Sequence, residues 1–354
     1  MADLSTSQIR NVAFVAHSGA GKTSLADALF FTSGGTNRQG KVDDQTSLSD
    51  YEPEEQRRVS SIQLAVLPCR WKDHKINVID TPGYADFRGD MLSGLRVADA
   101  VIIVVSAAAG IEIGAQQAWN YTEDLGIPSA IVVKKLDREN SSFEQTCEEI
   151  VESWGRHCVP VHSVDGDGES FGSVSTGDLS ESVIETIAES DDELMMKYLD
   201  DEVLSDDEVN AAIKSGMTAR SIVPIFAASA LNNIGTGELL DAMTTLFPSP
   251  DDVEVPAVPE GAQANLIFKT SADPFVGKLS YFRVYGATLD SNAQLWNANR
   301  GENERVGQVY VAAGKKHPVL NRLYVVILGL SQDSTIQRHS ILYVIRQLKL
   351  NSVE

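Results

Sequence analysis

The sequence predicts an α/β fold, a mostly parallel sheet with a helical insert, followed by a small, incomplete β-barrel domain. Three observations predict it. Five short apolar runs recur between Asn11 and Phe226, with helical stretches between them. A Pro-rich stretch from Pro248 to Pro259 then breaks the pattern. Beyond it come only short β-rich runs separated by turn residues.

The first run, Asn11–Ala16, ends in a Gly-rich turn, and Ser24–Phe31 then has helical composition. Ile76–Ile79, Ala100–Val105, Ile131–Val133 and Ile222–Phe226 read as further strands, and Gln116–Leu125 as a helix. Strands that are apolar throughout, and not on alternate residues, have both faces covered, which implies parallel pairing with helices on both sides. Asp178–Glu208 holds 13 acidic residues and one lysine, Lys197. Its apolar residues Leu179, Val183, Ile187, Leu194 and Tyr198 keep roughly helical spacing. It reads either as solvated helices inserted before the last strand or as an acidic docking face for a basic partner protein. The expected limits are 7–250 for the first domain, with the insert at about 155–220. The linker is 251–262 and the barrel 263–330, with runs at Leu266–Lys269, Lys278–Tyr285, Gln294–Asn297 and Gly307–Val311.

Composition narrows the function. The 354 residues are 43% hydrophobic, enough for real cores, and carry a net charge of −21. That charge argues against a generally basic nucleic-acid coat and leaves room for a local basic patch. Cys69, Cys147 and Cys158 are odd in number and lack CxxC spacing, which disfavours a disulfide scaffold or a zinc site and makes a reducing cytoplasm the default. Met1–Arg10 has no basic region followed by an apolar stretch. The longest apolar run, Val97–Ile111, contains Asp99 and falls short of the ~20 residues of a membrane span.

Ala16-His17-Ser18-Gly19-Ala20-Gly21-Lys22-Thr23, with Ser24 opening the helix, fits the phosphate-loop pattern except that Ala16 takes the first Gly position. Gly19 and Gly21 let backbone N–H groups face phosphates without Cβ clashes. Lys22 reaches the β/γ-phosphates, and the Thr23 hydroxyl ligates Mg²⁺. Asp80-Thr81-Pro82-Gly83 ends the second strand, 58 residues after Lys22. There Asp80 holds Mg²⁺ through water, and the Gly83 N–H turns to the γ-phosphate. Lys135-Leu136-Asp137 follows the fourth strand, where Asp137 accepts from guanine N1–H and N2–H₂ and the Lys135 stem lies along the base. Adenine offers no matching donors, which disfavours an ATP-using protein. Ser229-Ala230-Leu231 completes the base pocket through a backbone N–H.

In this order the four motifs resemble the translational GTPases. Asp86-Phe87, Leu95–Ala100 and Ala109-Gly110-Ile111-Glu112 are similar to elongation factor G and the elongation factor G-like proteins. So are Asp273–Ser280, Phe282–Gly286 and Glu304–Gly307 in the second domain, and the resemblance runs from about Ile9 to Lys316. It implies a cytoplasmic, monomeric GTPase that binds GTP/GDP and Mg²⁺. Its partner is the ribosome, through rRNA and ribosomal proteins at the GTPase centre, with no membrane and no DNA. Three departures qualify this. Ser61 stands where the family's Mg²⁺-ligating Thr is expected and keeps the hydroxyl. Tyr84 replaces the His that positions the attacking water, and a phenol, titrating near pH ~10, is a poor base. Lys134 replaces an Asn that braces the base, which should weaken affinity more than specificity. Lys22 and Tyr84 are the expected catalytic residues. A low-turnover GTP/GDP switch, or an inactive fragment without translocation activity, is the alternative.

The tail, 331–354, matches neither the barrel pattern nor a nameable motif. Val326–Ser331 can be encoded so that the frame two bases along spells Asp-Ile-Gly-Ala-Val, the segment the family has at this point. A frameshift between about Lys316 and Val326 is therefore predicted. Sequencing the coding DNA checks it: shifted codons that do not spell that segment make the tail genuine.

Overall fold

The computed structural model describes residues 4–177, 179–256, 258–259, 262–273, 277–314, 319–320, 322–323, 328–332 and 341–344. The chain divides into two units, Met1–Val253 and Glu254–Glu354.

The first unit is built on strands β1 (Ile9–Val15), β2 (Ala65–Trp71), β3 (His74–Asp80), β4 (Ala100–Ser106), β5 (Ser129–Lys134), β6 (Cys158–Pro160) and β9 (Val223–Ala228). Between β6 and β9 lies a hairpin of β7 (His162–Asp165) and β8 (Ser173–Thr176). The helices are α1 (Lys22–Thr32), α2 (Pro53–Arg58), α3 (Arg88–Leu95), α4 (Ile113–Leu125), α5 (Phe143–Trp154), α6 (Glu181–Ala188), α7 (Asp192–Leu199), α8 (Asp206–Ala219) and α9 (Thr236–Thr245).

The sheet order is β2-β3-β1-β4-β5-β9-β6, and every pairing is parallel except β2 with β3. All residues of β1, β4, β5 and β9 are buried, as expected of strands covered on both faces. On one face Val12, Phe14, Val104 and Val132 pack with Leu25 and Leu29 of α1 and with Phe226. Each such side chain contributes about 1.5–3 kcal/mol on burial. On the other face the Trp119 and Trp154 rings stack at 4.7 Å, joining α4 to α5. A buried polar row ties the early ends of three strands together. Asn77 Nδ2 donates to Asn11 Oδ1, and Asn11 Nδ2 to Asp99 Oδ2, both at 2.7 Å. Because the strands run parallel, the segments that leave β1, β3, β5 and β9 all emerge at the opposite edge.

The acidic segment is not simply solvated. Val183 and Ile187 of α6, Leu194 of α7 and Ile213 of α8 all enter the main core cluster. The acidic side chains face out, and Lys197 pairs with Glu208. The apolar Met196 and Leu199 are 67% exposed and Val203 96%.

The second unit is antiparallel. β10 (Gln263–Asp273) pairs along its length with β11 (Gly277–Gly286), with a bulge between Ile267 and Lys269. β12 (Leu289–Asp290), β13 (Gln294–Asn297), β14 (Glu302–Arg305) and β15 (Val309–Val311) follow. Ile267, Phe282, Val284, Leu295 and Val309 form the core of this partial barrel. Further strands at 319–320, 322–323, 328–332 and 341–344 pair into the unit; 328–332 lies antiparallel to β11 and 341–344 to β10. The rest of the tail, and most of the window of the predicted frameshift, lie outside the described residues.

His162 generates a pH prediction. Its ring is buried and lies edge-on to Phe226 at 5.0 Å, and its Nδ1 accepts from the Ala227 N–H. Burial pulls its pKa down to about 4. The unfolded chain takes up this proton near pH ~6.5 and the folded chain only near 4, so stability is lost as pH falls between them, by about 3 kcal/mol in all. Asp27, which burial pushes up to about 6, acts in the opposite direction. Comparing the parent with His162→Phe in urea unfolding cancels that term. The parent should lose stability relative to the variant from about pH 6.5 down to about 4; a constant difference would refute the assignment.

Candidate functional site

Gly19, Gly21, Lys22, Thr23, Tyr84 and Asp137 share one cavity of ≈ 390 Å³ at the edge where the parallel strands end. The phosphate loop leaves β1 and enters α1 through Gly21, whose φ is +99°; Gly19 is at +80°. These left-handed conformations are costly for any residue with a Cβ. At Gly21 a Cβ would also lie 2.7 Å from Lys134 Nζ. At Gly83 it would meet Lys22 Nζ at 2.6 Å and the Ser18 nitrogen at 2.8 Å, so the segment after Asp80 lies directly against the phosphate loop. Ala16 and Ala20 put their side chains into the apolar cluster beneath. Ser24 lies on the cavity wall.

Lys22 is buried, and burial lowers its pKa against the opposing charges of Asp80 and Asp50. Thr23 Oγ1 and Ser61 Oγ are 2.9 Å apart. Ser49 Oγ donates to Asp80 Oδ2 at 2.7 Å, while Asp80 Oδ1 and Asp50 Oδ2 are buried with no hydrogen-bond partner. Burial raises the pKa of Asp80, and burial plus the charge of Asp80 raises that of Asp50. Two buried carboxylates with idle oxygens beside two hydroxyls form a hard-oxygen donor set that fits a divalent cation. Glu55 holds the Ser61 segment in place, its Oε1 accepting from the Ile62 and Gln63 N–H groups at 2.9 and 3.0 Å.

On the base side, Ser229 Oγ donates to Asp137 Oδ1 at 2.7 Å, which fixes the carboxylate's orientation. Lys135 Nζ donates to the Gly19 carbonyl at 2.7 Å. Lys135 itself has φ +63°, a strained backbone for a lysine that costs about 1–3 kcal/mol. Lys134 Nζ donates to the Gly21 carbonyl at 2.6 Å. The Ala230 carbonyl accepts from Gln39 Nε2 at 2.6 Å, and Leu231 is exposed at the cavity rim. On the third side Tyr84 is 51% exposed. His17 turns away, its Nε2 3.5 Å from Glu112 and its Nδ1 accepting from the Gly114 N–H.

The structure thus brings most of the sequence-selected residues to one place, while the side chains of Ala16, His17 and Ala20 point away from the cavity. It adds Gln39, Ser49, Asp50 and Glu55, which sequence reasoning missed. Asp50 and Glu55 sit in an acidic run that reads as a solvated helix start. The Pro53 opening of α2 and the Glu52–Glu55 capping box were the available signals. Asp27, whose Oδ1 accepts from the Leu48 N–H, could have been noticed as the one polar residue in the stretch Leu25–Phe31 of α1.

Residues 7–249 match the family described as the elongation factor Tu GTP binding domain. The chain is 32% identical over 349 residues to elongation factor G of Salinibacter ruber, covering 85% of this chain and 49% of that protein. A crystal structure from Thermus thermophilus superposes with a TM-score of 0.84 at 27% identity, covering 95% of this chain and 54% of that one. The chain spans about half the length of the relatives it matches. Matched along almost the whole of its first unit, it belongs to the elongation factor Tu GTP-binding domain family, among the translational GTPases.

Proposed function

We propose that this chain is a Mg²⁺-dependent GTPase that binds GTP and GDP and hydrolyses GTP in association with the ribosome during protein synthesis. The observation that carries the reading is Asp137, oriented by Ser229 and lining the same cavity as the phosphate loop. A carboxylate presented this way accepts from two guanine N–H groups, whereas adenine leaves it unpaired. The backbone of Ala16–Ser24 and the Lys22 ammonium take the phosphates, with the Gly83 N–H on the γ-phosphate. The Lys135 stem lies against the base, and the Ser229-Ala230-Leu231 turn closes the pocket behind it.

Thr23, Ser61 and Asp80 are the cation's ligands in this reading, Asp80 through water. When bound, Mg²⁺ would supply charge neutralisation at the phosphates. Lys22 contributes the protein's own cation there. Tyr84 takes the position from which a side chain orients the attacking water, but a phenol neither accepts a proton well at neutral pH nor carries positive charge. That favours a second reading, a GTP/GDP switch of low turnover. The acidic outer face of α6 and α7 fits a basic ribosomal protein at the GTPase centre. Among the described residues, no helix is long and apolar enough to cross a membrane.

Titration with GTP, GDP and ATP tests the base assignment. Asp137→Asn should weaken GTP binding at least ~10-fold, since charge-assisted hydrogen bonds are worth ~1.5–3 kcal/mol. Equal competition by ATP in the parent chain would sink guanine recognition. Single-turnover hydrolysis with and without ribosomes separates enzyme from switch. Tyr84→His should raise the ribosome-stimulated rate; no rise, with ribosome binding confirmed, means another step limits.

A further inference from the structure

Lys134 has no part in the reading above, beyond being a departure from an expected amide. It ends β5, is almost wholly buried, and sends its side chain beneath the phosphate loop rather than to solvent. The Gly21 carbonyl accepts from both the Leu25 N–H, at 3.0 Å, and Lys134 Nζ, at 2.6 Å. Gly21 admits this approach only because it lacks a Cβ, which would sit 2.7 Å from Nζ. The carbonyl of Gly21 and the N–H of Lys22 belong to one peptide unit. That N–H opens the first turn of α1, where helical donors have no intrahelical acceptor and collect anions. A cation on the carbonyl side draws electron density toward the oxygen and strengthens the N–H as a donor.

We propose that Lys134 is a positioning residue for the nucleotide's phosphates, with its ammonium clamping the Gly21 carbonyl and so fixing and polarising the Gly21–Lys22 peptide. This rests on the nucleotide-site reading. It also alters what the departure means: the long cationic arm replaces a base-side brace with a phosphate-side one. Lys135, through Gly19, repeats the arrangement two residues earlier in the same loop.

The charges around Nζ support the idea. Lys22 faces it from α1 and Asp80 from β3, with Lys135 and Asp137 on its own loop. Burial, then the neighbouring lysines, pulls its pKa down to about 7. Bound phosphates would favour the ammonium, so binding takes up a proton above pH ~7, and affinity falls as pH rises past that point.

Calorimetry of the full chain with GDP and with guanosine tests the proposal. Lys134→Met keeps the arm and removes the donor. It should weaken GDP binding at least ~10-fold and leave guanosine binding within about twofold. The parent's GDP affinity should fall about threefold or more between about pH 6.5 and 8.5, and the variant's should fall clearly less. Lys134→Gln keeps an N–H donor without the charge; it should show the same reduced slope, and it serves if the methionine variant fails to fold. A folded variant that binds GDP within about twofold of the parent, or keeps the parent's pH slope, overturns the proposal. A parent chain that binds neither GDP nor GTP overturns the nucleotide reading itself, and this inference with it.

Discussion

Two left-handed glycines, Gly19 and Gly21, set the directions of the phosphate-loop peptides, and most of the site is arranged around the consequence. If the N–H groups of such a loop are to face an anion, its carbonyls must face the protein and find donors there. Lysines on consecutive residues provide them, Lys135 for Gly19 and Lys134 for Gly21. Both lysines sit at the end of β5, two strands from β1, so the donors are only as well placed as the sheet is rigid. The fully buried strands between them supply that rigidity. The positive φ of Lys135 is strain carried at this junction, as expected where the surrounding packing over-determines the backbone.

The opposite problem arises at the end of β3. Asp27, Asp50 and Asp80 are buried within one region of a chain whose net charge is already −21. Asp80 raises the pKa of both Asp27 and Asp50, Asp27 raises that of Asp50, and each of the three has one oxygen without a partner. Uncompensated buried carboxylates are costly. Lys22 offsets part of that cost from one side. The remainder is what a hard cation at the Thr23 and Ser61 hydroxyls would relieve, so the same residues that destabilise the empty site favour a loaded one.

The chemistry of short range was readable from the sequence, and the chemistry of long range was not. The phosphate loop, Asp80 and Asp137 sit at strand ends in contiguous motifs, where a few residues carry both the backbone geometry and the proposed chemistry. Gln39 is different, because its carbonyl partner on Ala230 is 191 positions away and no local pattern announces it. β2 was missed for a similar reason. Pro68 lies in its middle and argues against a strand, yet β2 is an edge strand, where a missing N–H is tolerated. β14, Glu302–Arg305, is polar throughout and forms by pairing with β13. The acidic segment was readable as helical, but not its packing onto the core, since three or four apolar side chains per helix serve a docked helix and a solvated one alike.

The stretch from Gln39 to Ser61 is placed where a ligand in the proposed site would act on it. Its bonds to the rest of the unit include Gln39 to Ala230, Leu48 to Asp27, Ser49 to Asp80 and Ser61 to Thr23, and Leu48 also packs against the main core. Each of these four bonds is worth about 0.5–1.5 kcal/mol net, so together they contribute a few kcal/mol. That is the range in which a ligand's differential contacts shift a conformational equilibrium. Two of the four anchors, Asp80 and Thr23, are the residues to which the cation is assigned. A ligand that changes the charge at Thr23 and Asp80 therefore acts on the stretch at two points together. Gln39, bonded to the Ala230 carbonyl on the base side, anchors the other end of the stretch away from both of those residues.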